Sequence, residues 1–171
     1  MLMYHPAQDV NHCVFRLLLI LEHTEHEKLN TDAYRLIDFY TLFPSLLKRL
    51  KTLPVPVNKC RKVFSEVEEP FESLKNTKRI LHELEALQSV AIQNLLAKKL
   101  LDIDEYNKGY LKRSSVKLPE RFIGALNKSN LVSKEWFKGL VNEFPKAKFV
   151  GGSGLKARTG LMEYRYDVEK Q

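Results

Sequence analysis

The segment LNTDAYRLIDFYTLFP, residues 29–44, carries the clearest structural signal in the 171-residue chain. Asn30 or Thr31 can cap a helix, because a short polar side chain accepts hydrogen bonds from the first free backbone amides. Apolar side chains then recur at helical spacing, at Ala33, Leu36, Ile37 and Tyr40. The helix should end near Phe43, since the residue before Pro44 is pushed out of the helical conformation.

The segments on either side of this helix extend the helical pattern. Residues 9–23 place apolar side chains three and four apart behind Asp9, a suitable N-cap, and so predict a core helix. Pro44 can open a third helix that runs to about Leu50, because proline is tolerated in a first helical turn. Two prolines predict an extended or irregular connection over Thr52–Pro70.

The middle of the chain predicts one long helix and a hairpin. Apolar residues keep helical period from Glu72 to about Leu100, with a possible break at Ser89 and Val90. Polar and apolar residues then alternate on both sides of residues 107–109, Asn-Lys-Gly, in which the Asn and the Gly supply the positive φ angles of a tight turn. We therefore predict a β-hairpin before residue 117, with Asp102 and Asp104 on one face of its first strand.

Two further helices precede the C-terminal segment. Pro119 opens the first, and Ser133 is placed to cap the second, which Pro145 ends. The second helix carries an apolar stripe of Trp136, Phe137, Leu140, Val141 and Phe144. We expect this stripe to pack in the core against a C-terminal hairpin.

The C-terminal segment KFVGGSGLKARTGLMEYRYDV, residues 148–168, predicts two strands around a glycine-rich loop, residues 151–160. A phosphate-binding P-loop requires Gly-Lys-Ser/Thr before a helix, whereas here Lys156 follows Leu155 and precedes Ala157. Nucleotide binding is therefore excluded for this loop. The pattern favours the wing of a winged-helix domain, whose tip residues Lys156 and Arg158 would contact phosphates or an acidic partner; a solvated loop is the alternative.

These elements predict a mainly α fold with short β-hairpins, which is an α+β class. Helices followed by a hairpin occur twice, so we predict one module over residues 1–116 and a second over 117–171, or one compact unit of both. The longest nearly uninterrupted apolar run, residues 15–21, is far shorter than the roughly 20 residues of a membrane span. With no signal sequence at its start, the chain is expected in the cytoplasm.

Charge is unevenly distributed along the chain. The net charge is +7, which favours nucleic acid or an acidic protein as partner. No acidic residue lies between Asp38 and Glu66. That interval contains six basic residues, namely Lys48, Arg49, Lys51, Lys59, Arg61 and Lys62. They are candidate contacts for DNA or a partner, and a merely solvated basic face is the alternative.

Residues with catalytic or metal-binding chemistry form no complete motif. His23 and His26 with neighbouring glutamates resemble a metal site, but no second ligand pair follows at fixed spacing. The group of Asp102, Asp104 and Glu105 would suit a metal-dependent nuclease, although a charged strand edge explains it better. We expect no enzyme activity and no cofactor.

The two cysteines, Cys13 and Cys60, lie far apart in the sequence and outside any CxxC pattern. Neither a disulfide scaffold nor a zinc site is indicated. We expect both to be buried, unreactive thiols.

A family resemblance is carried by the first third of the chain. Its motif comprises Tyr4-His5-Pro6, Asp9, His12, Phe15-Arg16, Asp38-Phe39-Tyr40 and Phe43-Pro44. The segment resembles the small middle component of ABC three-component systems, the third subunit of Lamassu-type antiphage defence operons. The resemblance implies a non-catalytic subunit that joins an ATPase of the structural maintenance of chromosomes (SMC) type to an effector, often a nuclease, in response to foreign DNA. It also implies a likeness to the winged-helix accessory subunits of bacterial condensins.

A different class of function is also compatible with the sequence. A free-standing winged-helix transcription regulator would need a recognition helix with exposed polar side chains. Residues 88–99 offer Gln88, Gln93, Asn94, Lys98 and Lys99. Tight binding to one particular duplex would favour this alternative, whereas the accessory subunit should bind DNA weakly and without sequence preference.

Overall fold

The structure is a computed structural model that describes residues 9–163. Within that range the chain is mostly helical and contains one small antiparallel sheet, so the predicted α+β class is confirmed. The first half comprises α1 (Val10–His23), β1 (Leu29–Asn30), α2 (Thr31–Leu42), a 3₁₀ helix (Pro44–Arg49), α3 (Val55–Asn58), α4 (Arg61–Ser65) and α5 (Thr77–Ala97). The second half comprises α6 (Ile103–Asn107), β2 (Tyr110–Leu111), α7 (Glu120–Asn127), a 3₁₀ helix (Asn130–Ser133), α8 (Glu135–Glu143), a 3₁₀ helix (Phe144–Lys146) and α9 (Leu155–Thr159).

The predicted starts and ends of the first two helices are confirmed. The Asp9 carboxylate accepts a hydrogen bond from the amide of Asn11, at 2.7 Å. Asn30 caps α2 by accepting bonds from two backbone amides. α2 ends at Leu42, directly before the Phe43-Pro44 pair, and Pro44 opens the 3₁₀ helix that follows. Local capping and proline geometry therefore determine these boundaries.

The core is built around α1, α2 and α5. α1 packs along α5, and α2 contacts both of them as well as α8. Tyr40 of α2 lies edge-to-face on Phe144 at 5.8 Å between ring centroids, and Phe64 of α4 does the same at 6.4 Å. Side chains from both predicted modules thus meet in one apolar core, while the division at residue 116 stays a prediction.

The long helix differs from its prediction at both ends. α5 begins at Thr77 rather than Glu72, because Asn76 before it adopts a left-handed conformation with φ of 57°. It ends at Ala97 rather than Leu100, and it continues without a break through Ser89. The Ser89 hydroxyl donates to the Glu85 carbonyl one turn earlier, so it does not interrupt the helix.

The first predicted hairpin is wrong in its leading strand. Residues 103–107 form α6, whose N-cap Asp102 accepts hydrogen bonds from the amides of Asp104 and Glu105. Gly109 does turn the chain with φ of 89°. The strand after it, β2, pairs with β1 in the register Leu29 to Leu111. The two arms of the predicted hairpin still meet at an antiparallel bridge between Leu101 and Arg113.

The second predicted hairpin is also wrong where the structure describes it. The glycine-rich loop, residues 151–160, contains the short helix α9, and neither residues 148–150 before it nor residues 161–163 after it form a strand. Residues 164–168 of the predicted second strand lie outside the described residues. The loop folds back tightly, because the amides of Leu155 and Lys156 donate to the carbonyls of Lys148 and Phe149. Gly160 then ends α9 with φ of 65°. No wing is present within residues 9–163.

Three smaller predictions also need correction. The proline-rich connection over residues 52–70 contains the short helices α3 and α4, with Pro56 tolerated in the first turn of α3. Ser133 ends a 3₁₀ helix rather than capping α8, whose N-cap position is Lys134. Phe137 and Phe144 are buried as predicted, but Trp136 is only half-buried and packs at the edge of the core.

None of the helices within residues 9–163 is both long enough and apolar enough to cross a lipid bilayer. The longest of them, α5, has 21 residues and carries charged side chains along its exposed face.

Candidate functional site

The six basic residues predicted from the sequence lie on two elements that pack together, the 3₁₀ helix Pro44–Arg49 and α4, and on the segment between them. We call this set the basic surface: Lys48, Arg49, Lys51, Lys59, Arg61 and Lys62. The 3₁₀ helix Pro44–Arg49 packs against α4 and so brings the two ends of this sequence block together. The Arg61 guanidinium lies 3.5 Å from the Lys51 carbonyl oxygen and donates to the Asn58 side chain at 3.1 Å. All six side chains belong to exposed residues.

Two of these cations are anchored to carboxylates of the protein. Lys48 lies 3.1 Å from Glu69, and Lys59 lies 3.0 Å from Glu143 on α8. Arg49, Lys51 and Lys62 have no carboxylate within ion-pair distance among residues 9–163, so their charges are available to a ligand.

Glu143 lies beneath the basic surface at the end of α8. Burial raises the pKa of a carboxyl group, but ion pairs with Lys59 and Lys146 outweigh burial, and the pKa of Glu143 is lowered. Glu143 is therefore ionised at neutral pH and fixes Lys59 to the core.

A groove of about 750 Å³ opens beside the basic surface; we call it the acidic groove. It lies between the end of α2, α4, the connection to α5 and the start of α8. Its apolar lining consists mainly of Leu42, Phe43, Leu46, Val63, Val67, Leu74 and Trp136. Its charged lining consists of Glu66, Glu68, Glu69, Glu72, Glu135 and Lys134. The Lys48–Glu69 ion pair joins the acidic groove to the basic surface.

A buried charge network lies in the core between α1, α2 and α5. Arg16 donates to both carboxylate oxygens of Asp38, at 2.6 and 3.1 Å, and Gln88 donates to the same carboxylate at 2.9 Å. Burial disfavours the charged form of Arg16, but the adjacent Asp38 outweighs burial and the pKa of Arg16 is raised. The network ties one residue from each of the three core helices together.

This network accounts for two residues of the motif that carried the family resemblance, Arg16 and Asp38. Asp38 is fully buried and accepts charged hydrogen bonds, while Phe39 and Tyr40 are buried in the apolar core with their rings edge-to-face at 5.5 Å between centroids. The sequence interpretation treated these residues as core and helix-ending residues and missed the ion pair. A charged residue inside the apolar stripe of each of two helices, Arg16 and Asp38, was the signal that could have revealed it.

The whole-chain comparison gives the same family as the motif. Residues 2–167 match the model of the ABC-three component (ABC-3C) system Middle Component 5 family. The chain belongs to this family. No curated protein and no solved structure matches it. As a middle component, the protein has a role in a system of several components.

Lys156 and Arg158 of this middle component lie away from the basic surface. Lys156 is buried, forms an ion pair with Asp32 at 3.2 Å and lies over the Phe149 ring. Asp32 is at the start of α2, whereas the basic surface is at its end, about 18 Å further for a helix of this length. Arg158 donates to the Ser153 carbonyl at 2.6 Å. Binding by these two residues stays a prediction, but Lys156 does not stand at an exposed loop tip.

The residues considered as metal ligands have other partners in the middle component. The rings of His23 and His26 lie 2.9 and 2.8 Å from the carbonyls of Leu19 and Asn142. Glu105 forms ion pairs with Lys28 and Lys108. Across the described part of the chain, no group of three His, Cys, Asp or Glu side chains is arranged to hold a metal ion.

If the chain were a transcription regulator, one of the five polar side chains predicted for its recognition helix would not be available to DNA. Gln88 is fully buried and bonded to Asp38, so it cannot contact DNA. Gln93 is exposed and donates to the Tyr106 hydroxyl at 3.2 Å. The other three residues of this set, Asn94, Lys98 and Lys99, are exposed.

Both cysteines are buried, as predicted. Burial, followed by the nearby Asp38 charge, raises the pKa of the Cys13 thiol to about 12. Burial is also the main reason that the pKa of Cys60 is raised. Both side chains are therefore protonated, poor nucleophiles at neutral pH.

Proposed function

We propose that this middle component is a non-catalytic accessory subunit of a Lamassu-type antiphage defence complex in the cytoplasm. In this proposal it joins an SMC-type ATPase to an effector, such as a nuclease, when foreign DNA is sensed. The observation that carries the proposal is the family match over residues 2–167, which implies partner components.

Two neighbouring surfaces of opposite charge support a bridging role. The basic surface presents Arg49, Lys51 and Lys62, which have no ion-pair partner within residues 9–163, and the acidic groove presents glutamates around an apolar lining. Complementary charges guide partners into the correct arrangement and reject incorrect ones. One chain with two such surfaces can hold two different ligands at once.

DNA is the ligand that we propose for the basic surface. Lysine and arginine side chains on short helices, without a recognition element in a groove, contact phosphates and do not read bases. Binding by the isolated subunit should therefore be weak, independent of sequence and strongly dependent on salt.

The winged-helix likeness to condensin accessory subunits belongs to the same proposal. It follows from the family resemblance, and it concerns the way in which the subunit would attach to its ATPase. A solved structure of this subunit bound to its ATPase would test that likeness directly.

Co-purification with the products of the neighbouring genes tests the proposed function. A tagged copy of this chain should retain an ATPase with long coiled-coil segments and, separately, an effector protein when each is co-expressed with it. Retention of neither protein would overturn the proposal. Tight binding of the isolated chain to one particular duplex at physiological salt would instead support the transcription regulator.

A further inference from the structure

The acidic groove has the chemistry of a docking site for a helix. We propose that it receives a lysine- or arginine-rich amphipathic helix from a partner component of the system. This inference rests on the proposed function for the existence of the partner, and it adds the chemistry by which that partner is recognised.

The apolar lining of the acidic groove supplies the first argument. Trp136 is half-buried at its edge, and the neighbouring Phe71 side chain is fully exposed. Exposed aromatic side chains are costly in water, and they anchor interfaces when a partner covers them. The lining is therefore suited to the apolar face of another polypeptide.

The charges around the lining supply the second argument. The groove carries five glutamates and one lysine, although the whole protein has a net charge of +7. Glu66, Glu68 and Glu72 have no lysine or arginine within ion-pair distance among residues 9–163, and all three are exposed. Such carboxylates attract a partner with cations flanking its apolar face.

The size of the groove fits part of a helix. One helical turn about 10 Å wide and 5.4 Å long fills roughly 420 Å³, so a volume of about 750 Å³ holds less than two whole turns. A helix that inserts only its apolar side can extend over two to three turns. This is the geometry of a helix lying in a groove, with anchors at positions i, i+3 or i+4, and i+7.

The chain's own ends lack the required charge. Residues 1–8 contain no lysine or arginine, and residues 164–171 contain one of each against one aspartate and one glutamate. Neither segment has the excess of positive charge that would complement the glutamates of the groove. A separate polypeptide is thus the better complement.

Fluorescence of Trp136, which is the only tryptophan in the chain, reports directly on the groove. The probe is an 18-residue helical peptide of leucine and lysine, with leucines on one face and no aromatic residues. We expect a saturable change in Trp136 fluorescence at one peptide per protein, and weaker binding as salt is raised. A peptide with glutamate in place of lysine should produce no such change.

Variants assign the binding to the groove. Glu66→Lys/Glu68→Lys/Glu72→Lys should weaken binding of the leucine-lysine peptide at least about tenfold, because attraction becomes repulsion. The milder Glu66→Gln/Glu68→Gln/Glu72→Gln variant should give a smaller loss. Glu25→Lys/Glu83→Lys/Glu120→Lys makes the same change in net charge outside the groove and should bind like the wild type. Circular dichroism verifies that each variant is folded.

Three results would overturn the inference: no binding of the leucine-lysine peptide, equal binding of the glutamate peptide, or a dimer of this chain whose formation covers Trp136. Co-purification separates this inference from the proposed function. If the wild type retains its partners and the lysine variant retains them equally, the groove is not the docking site and the proposed function stands. If the wild type retains no partner, the proposed function itself fails.

Discussion

At the residue scale, the buried Asp38 carboxylate is the polar centre of the fold. Arg16 from α1 and Gln88 from α5 both donate to it, and the Arg35 guanidinium on α2 bonds to the Glu85 carbonyl and the Ser89 hydroxyl of α5. Buried charges are costly unless they are paired, so each member depends on the others. The network thus fixes the rotation of α2 against its two neighbours.

Removal of Asp38 should be strongly destabilising. We expect Asp38→Ala to lower the free energy of unfolding by about 3–5 kcal/mol, because Arg16 would remain buried without a counter-charge. Urea denaturation followed by circular dichroism measures the change.

The double variant Arg16→Met/Asp38→Leu is the matched comparison for this prediction. It removes both charges and replaces them with apolar side chains, and it should recover much of the loss. A cost below about 1 kcal/mol for Asp38→Ala alone would show that the network contributes little to the fold.

Residue patterns predicted the helices of this region, but they did not predict the ion pair. Asp9 and Asn30 cap helices through contacts within three residues, which a sequence displays directly. The Arg16–Asp38 pair joins residues 22 positions apart. Their contact depends on how two helices are rotated against each other, and helical spacing alone does not specify that rotation.

At the scale of elements, local capping replaced the leading strand of the first predicted hairpin by a helix. Alternating polarity favoured a strand over residues 101–106, but Asp102 caps the amides of Asp104 and Glu105 and so starts α6. An aspartate three residues before a glutamate is itself a helix-start signal. The prediction of a hairpin gave this signal less weight than the alternation of polar and apolar residues. The turn at Gly109 was predicted correctly.

The glycine-rich loop has a structural reason for its composition. A Cβ atom on Gly154 would lie 2.4 Å from the Val150 carbonyl oxygen and 2.5 Å from that of Phe149. The chain therefore requires glycine where the loop folds back before α9. Sequence reasoning interpreted the same glycines as a wing tip, because a compact turn and an extended loop both favour glycine.

Gly154→Ala should destabilise the protein. We expect a loss of about 1–3 kcal/mol, since the added methyl group must displace backbone atoms rather than flexible side chains. Gly152→Ala is the matched control, because its Cβ would meet nothing within 4 Å. Thermal denaturation should show a fall of several degrees for the first variant and almost none for the second. Equal melting temperatures would contradict this account of the loop.

At the scale of the whole molecule, the fold places basic and acidic side chains on two adjacent surfaces, the basic surface and the acidic groove. The sequence showed the basic block because its residues all lie between positions 48 and 62 with no acidic residue among them, and it predicted a nucleic-acid or acidic partner from the net charge. The acidic groove was missed, since it joins residues 66–72 to Trp136 and to the end of α2. Its lining comes from distant parts of the chain that only the folded core brings together.

The basic surface leads to a quantitative prediction for DNA. Each phosphate that is neutralised adds roughly 0.9 to the slope of log affinity against log salt. Arg49→Ala/Lys51→Ala/Lys62→Ala should therefore reduce that slope by at most about 2.7, measured by fluorescence anisotropy on a duplex at several salt concentrations.

A matched control distinguishes local phosphate contacts from net charge. Lys117→Ala/Arg121→Ala/Lys128→Ala removes the same charge from exposed positions of α7 and its flanks, outside the basic surface. It should leave the slope nearly unchanged. Equal reductions by the two triple variants would assign DNA binding to the overall charge and not to the basic surface.

The bridging role is tested most directly by capturing the ATPase and asking whether the effector comes with it. All three components of the system are co-expressed with a tag on the ATPase, with and without this middle component, and the captured assembly is weighed by light scattering. We expect the effector in the captured assembly only when this chain is present, with the mass of a complex that contains all three components. Capture of the effector in equal amount without this chain would contradict the account.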